Sequence, residues 1–187
     1  MKEKIKKQLK VKNKQKGDKK WIFIITITAF VISFLLSLLS ELIIPNTFLL
    51  VNILLVILFI FLGIIFDIVG VSITTADDKV FHSMASKGVK GAKKAITFIK
   101  NKEKVSSFCN DVIGDICGVI SGSCGLTIAI KLSSVFNINT LWTTVCVTSL
   151  ISAFTIGGKA IGKTIAVNNS NSVVFKFAKI ISLFNKQ

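Results

Sequence analysis

The chain begins with polar, lysine-dominated positions up to residue 20. It then becomes almost wholly apolar from Trp21 to Ile44, with Glu41 the one charge. After the short interruption "IPNT", a second apolar run extends from Thr47 to Thr75, and Asp67 is its one charge. Both runs exceed the ~20 residues a helix needs to cross a bilayer. Two later stretches, Val105–Ile130 and Leu141–Val167, carry more Gly, Ser, Thr and charge, yet they are also long enough to span. The pattern therefore predicts four membrane-crossing helices.

Between the second and third runs the periodicity changes. Asp77 and Asp78, following Thr74 and Thr75, mark a new helix start. In "DDKVFHSMASKGVKGAKKAITFIKN" Val80, Met84, Ala92, Ile96 and Ile99 share one face, opposite Lys87, Lys90 and Lys94. Gly88 and Gly91 are expected to split this amphipathic segment into a pair of short helices lying on the membrane surface. The stretch "SSVFNINT" forms the connection before the fourth run. The last segment, "NSVVFKFAKIISLFNKQ", spaces apolar residues three and four apart, as expected for another interfacial helix or for a stub on which a partner docks. The expected fold class is an all-α membrane protein. It has four transmembrane helices and a juxtamembrane amphipathic helix pair, in one domain without internal repeats.

Composition supports this class, with 187 residues, 51% of them hydrophobic, and a single proline, Pro45. The formal charge of +15 arises from 24 lysines and no arginine. In a soluble protein such a balance would suggest nucleic acid; in a membrane protein the lysines are read by position. Ten lie in residues 1–20, eight between Lys79 and Lys104, and most of the rest at or after Lys159. Positive-inside bias then places the N-terminus, the 76–104 segment and the C-terminus in the cytoplasm, consistent with four crossings of the cell membrane. The expected partner is the lipid bilayer, with no nucleic acid. The first run is about twice the ~7–15 residues of a signal-peptide core and has no small-residue cleavage site, so it reads as an uncleaved span.

No nucleophile motif, phosphate-binding loop or cofactor fingerprint is present, and the chain reads as a non-enzyme. Cys109, Cys117, Cys124 and Cys146 contain no CxxC pair and read as small packing residues. His82, the single histidine, reads as an ordinary interfacial residue.

The chemistry lies in charges placed inside apolar runs, where each costs ~2.5–3.5 kcal/mol on insertion scales and is usually paired or functional. At ~1.5 Å rise per residue, Asp67, Asp111, Asp115 and Lys159 all sit ~9–15 Å from the lysine-rich edge. Three carboxylates and one ammonium at one depth leave two uncompensated negative charges, which must be protonated, hydrated or matched by a cation. Hard oxygen donors favour Mg²⁺ or Ca²⁺, and Asn110, Ser72 and Ser121 could add neutral oxygens. The candidate metal ligands are thus Asp67, Asp111 and Asp115, then Asn110 and Ser72, with Lys159 as internal counter-charge. The alternatives are a structural staple, in which Lys159 pairs with one aspartate while another is protonated, and span boundaries that leave these charges at the water interface. Gly114, Gly118, Gly122 and Gly125 form a small-residue seam suited to close helix packing, and Gly157, Gly158 and Gly162 resemble it.

The order of "ASKGVKGAKKA", "CNDVIGDICGVISG" and "GKTIAVNNSNSV" resembles the transmembrane domain of the CNNM/CorC (CorB) magnesium and cobalt transporter family, over roughly Thr47–Phe177. The family's Ile-Gly-Asn corresponds to Ile113, Gly114 and Asp115, and its Gly-Glu-x-x-Pro-Lys to Gly158, Lys159, Ala160, Ile161, Gly162 and Lys163. Its Ser-Gly-Ser-Glu corresponds, within a residue, to Asp67–Gly70. The resemblance implies a membrane protein that binds or transports a divalent cation, Mg²⁺ or Co²⁺, and a homodimer. The replacement of glutamate by Lys159 implies a rebuilt ion site or a non-transporting module that docks a separate cytosolic regulatory partner. The domain plan is a disordered basic tail (1–20), an additional first span (21–44), the CNNM-type domain (47–177) and a cytoplasmic end (178–187). This plan leaves no room for the CBS regulatory part.

Overall fold

A chain segment surrounded by lipid must satisfy every backbone N–H and C=O within itself, so each apolar run forms one long helix. The computed structural model describes residues 2–44 and 47–184. Its helices are α1 (Lys2–Ile43), α2 (Leu49–Thr75), α3 (Asp78–Ser86), α4 (Ala92–Lys100), α5 (Lys102–Ser107), α6 (Asp115–Phe136), α7 (Thr140–Asn168) and α8 (Ser170–Phe184). A π-helical segment, Phe108–Gly114, joins α5 to α6 without a break. The protein is all-α, with no strand among the described residues. Lys19–Leu42, Leu49–Thr75, Lys102–Phe136 and Thr140–Asn168 are each long and apolar enough to cross a membrane, which makes this a multi-pass membrane protein.

Two boundaries differ from the sequence expectation. Helix α1 continues back to Lys2, where a disordered tail was expected over residues 1–20; Lys, Gln and Glu are good helix formers and the run contains no proline. The third span continues past Ile130 to Phe136, leaving a short turn before α7. Asn137 closes α6 at φ 52°, a left-handed conformation that asparagine tolerates. Asn139 Oδ1 then accepts from Leu141 N at 2.9 Å and caps α7.

Helix α2 is the hub, packing against α5, the π segment, α6, α7 and α8, while α1 contacts α6 and the π segment. Lipid is as apolar as leucine, so close approach rather than water exclusion holds such helices together. Gly158 and Gly162 of α7 receive the Ile64 and Ile68 side chains of α2, and Gly125 receives Ile151. Gly118, Gly122 and Gly157 have no such neighbour, so only part of the expected glycine seam is a contact. One core ladder, Val112, Ile116, Ile120, Cys124 and Ile128, runs along the third span.

At the α1–α2 turn the Ile44 carbonyl accepts from Thr47 N at 3.3 Å, Thr47 Oγ1 at 2.9 Å, Asn52 Nδ2 at 3.2 Å and Lys131 Nζ at 3.2 Å. Lys131 Nζ also donates to Thr47 O at 2.6 Å. The one lysine at this end is therefore bound into the turn. Lys131→Met is expected to cost ~1–3 kcal/mol, because carbonyls lose a charged donor; thermal unfolding of the purified variant checks this.

At the lysine-rich end a second cluster joins α2 to a collar of α3, α4 and α8 through Ile73, Phe81, Ala95, Val174 and Ala178. Asp77 Oδ1 caps α3 by accepting from Lys79 N at 3.0 Å, and Asp77 N donates to Asn171 Oδ1 at 2.9 Å, tying the start of α3 to α8. Phe98 of α4 meets Phe177 of α8 with ring centres 5.7 Å apart. Gly88 and Gly91 adopt φ of 70° and 92° and do split the segment in two. The split changes the helical phase, so the buried positions are Phe81, Ala92 and Ala95, whereas Val80 of the expected stripe is exposed. Ala178 is fully buried, so the packing of α8 continues past residue 177.

Candidate functional site

Asp67 lies about two turns before the end of α2 and is only 6% exposed. Gly63, one turn before it, sits against Cys117 Cβ and the Gly114 carbonyl; Gly70, one turn after it, sits against the Asn110 side-chain amide. Asp67 is thus bracketed on both sides by contacts between α2 and the third span. Ile64 and Ile68, on the adjoining face of α2, fill the glycine slots of α7. The carboxylate is therefore held at the junction of three helices, level with the π segment.

Two oxygens at this junction have no partner. Asp67 Oδ2 and Asn110 Oδ1 are both buried and accept no hydrogen bond among the described residues. Asn110 Nδ2 donates to Ser106 Oγ at 3.4 Å, which turns the amide oxygen toward Gly70. A side chain at residue 70 would overlap that oxygen, so glycine is what admits it. Buried polar atoms are almost always satisfied, so two acceptors without partners stand out in this part of the fold. A carboxylate and an amide oxygen are hard donors, suited to Mg²⁺, which ordinarily keeps several waters and takes one or two carboxylates. Asn110 also belongs to a π-helical turn, a rare element that recurs at functional sites.

The remaining candidates are placed differently. Asp111 is exposed and opens on a cleft beside Trp21 and Ile25 of α1. Asp115 has its side chain 68% exposed and pairs with Lys159 Nζ at 3.4 Å. Ser72 is buried and donates its hydroxyl to the Ala166 carbonyl at 3.3 Å. The three carboxylates do not converge: among the described residues no group of three His, Cys, Asp or Glu could hold a metal. Equal depth follows from helical rise alone, whereas convergence needs matching rotation about each helix axis, and the π turn alters that rotation. Lys159 Nζ also lies beside Gly114, 3.7 Å from where a Cβ would stand. The structure thus brings together the stretches at Ile113–Asp115 and Gly158–Lys163, which are far apart in sequence. The signal for the bracket around Asp67 in the chain is the pair of glycines at −4 and +3 from the lone acid of the run.

Residues 53–186 match the family model for the cyclin M transmembrane N-terminal domain, CNNM, which is well over half of the chain. The chain belongs to the CNNM family. No curated protein and no solved structure matches it. The matched CNNM segment contains Asp67, Asn110, Asp115 and Lys159, together with the collar helices, and α1 lies outside it. Within this CNNM domain, Cys109, Cys117 and Cys124 are buried packing residues, and Cys146 is exposed on α7.

Proposed function

We propose that the protein binds a divalent cation, Mg²⁺ first, between α2 and the π segment, and carries it across the cell membrane as cargo. The lysine-rich collar then faces the cytoplasm. The observation that supports this reading is the pair of buried, partnerless oxygens, Asp67 Oδ2 and Asn110 Oδ1, set in a domain of a family associated with divalent-cation transport. Asp67 supplies the charge, Asn110 a neutral oxygen, and Lys159, paired with Asp115, the neighbouring counter-charge. Asp111 and Asp115, being exposed, are better suited to an approach path than to the inner shell.

A second reading rests on Lys159. Its ammonium stands beside Gly114, where the family pattern has a glutamate, and it opposes passage of a dication. A protein that holds the cation without passing it would act as a membrane module for a separate cytosolic partner.

Millimolar Mg²⁺ is expected to raise the melting temperature of the purified protein by ~5 °C, since a ligand of the folded state stabilises it. Asn110→Ala should shrink that shift by about half or more. Absence of any shift in the wild type would sink the site. Metal-dependent flux in reconstituted vesicles separates the two readings: transport requires flux, and the module reading requires binding without it.

A further inference from the structure

We propose that the cleft between the α3–α4 loop and α8 is a phosphate-binding site, independent of the metal reading. Lys90, Lys93 and Lys94 line it from the loop and the first turn of α4, and Lys179 lines it from α8. No carboxylate lines the cleft. The ion pairs among the described residues, His82–Asp78 and Lys159–Asp115, use none of these lysines. Three other lysines are engaged: Lys159 has Asp115, Lys131 has two carbonyls, and Lys104 Nζ lies 5.1 Å from the centre of the Trp21 ring. Gathering four like charges in one cleft is unfavourable in itself, and an anion relieves the repulsion.

The backbone holds this arrangement in place. Gly88 and Gly91 both have positive φ, and a Cβ at Gly91 would stand 3.1 Å from Lys179 Cα. Glycine there lets α8 bring Lys179 up to the beginning of α4. The first turn of α4 contains no acid and has no side-chain cap; the Ala92 amide donates to the Val89 carbonyl at 3.2 Å, and those of Lys93 and Lys94 are left for an external acceptor. Lysines act as point charges rather than planar forks, which suits a phosphate group whose orientation is not fixed. That group has two sources: the headgroup of an anionic phospholipid at the bilayer surface, or free phosphate or pyrophosphate from solution.

The test uses the full chain. Thermal unfolding is measured in detergent against sodium pyrophosphate at constant ionic strength. It is also measured in nanodiscs of phosphatidylcholine with and without phosphatidylglycerol. Stabilisation is expected in at least one arm, with apparent affinity about tenfold or more weaker in the triple variant Lys90→Gln, Lys94→Gln, Lys179→Gln. The matched triple variant Lys79→Gln, Lys87→Gln, Lys100→Gln, which removes equal charge outside the cleft, should respond as the wild type does. A pyrophosphate response identifies a soluble ligand, and a response to phosphatidylglycerol alone identifies a lipid. The single change Lys179→Gln, at an exposed position, repeats the comparison should the triple variant fold poorly. No stabilisation in either arm, or equal loss in both triple variants, overturns the proposal.

Discussion

Asp67→Asn is expected to raise the melting temperature of the metal-free protein and to abolish its response to Mg²⁺. These opposite effects share one cause. In the absence of a cation, the buried carboxylate has an oxygen with no partner, and burying an uncompensated charge is strongly unfavourable. Asparagine keeps the shape, loses the charge and can donate as well as accept, so the metal-free fold should gain ~1–3 kcal/mol, or roughly 3–10 °C. The same change removes the single charged donor in the proposed inner shell, and Mg²⁺ binding should weaken at least ~100-fold. Thermal unfolding with and without millimolar Mg²⁺ reads both effects in one experiment. A drop in metal-free stability would mean that the carboxylate is a structural staple. An undiminished Mg²⁺ shift would move the site elsewhere.

Gly91→Ala is expected to be the most damaging single methyl in the collar. Alanine at φ 92° is strained by ~1–2 kcal/mol, and the new Cβ would press on the Lys179 backbone at 3.1 Å. That backbone cannot easily retreat, because Ala178 beside it is fully buried and Phe177 is engaged with Phe98. Overpacking adds ~1–3 kcal/mol, for a total of about 3 kcal/mol. Gly88→Ala makes the useful comparison: φ there is 70°, yet the surrounding space is open, so only the conformational cost of ~1 kcal/mol should appear. Chemical or thermal unfolding of both variants should rank Gly91→Ala well below Gly88→Ala; equal losses would mean that the approach of α8 is not tight.

The four spans, the start at Asp77 and the break at Gly88 and Gly91 were legible in the chain because each depends on local chemistry: apolar length, capping and glycine. The burial of Asp67 was legible in part, since a lone acid in the most apolar run has nowhere polar to go. What could not be read was rotation. Asp111 and Asp115 share a depth with Asp67, yet the structure exposes both, and no sequence pattern announces the π turn between Phe108 and Gly114. The collar escaped for a related reason. Ala95 is buried in one cluster with Val174 and Ala178 of α8, a helix some eighty residues further along the chain, and a contact so distant leaves no local periodicity to follow.

The first helix illustrates how little a span must contribute to remain in place. The apolar window of α1 has none of its residues buried within the protein, yet the carbonyls that follow it are clipped by Lys131 from another helix. Such a segment is nearly interchangeable: a generic leucine-rich rod of the same length would be solvated by lipid just as well, so long as the clip persists. Mutational drift should therefore accumulate along α1 faster than along the face of α2 that packs on the third span, α7 and α8.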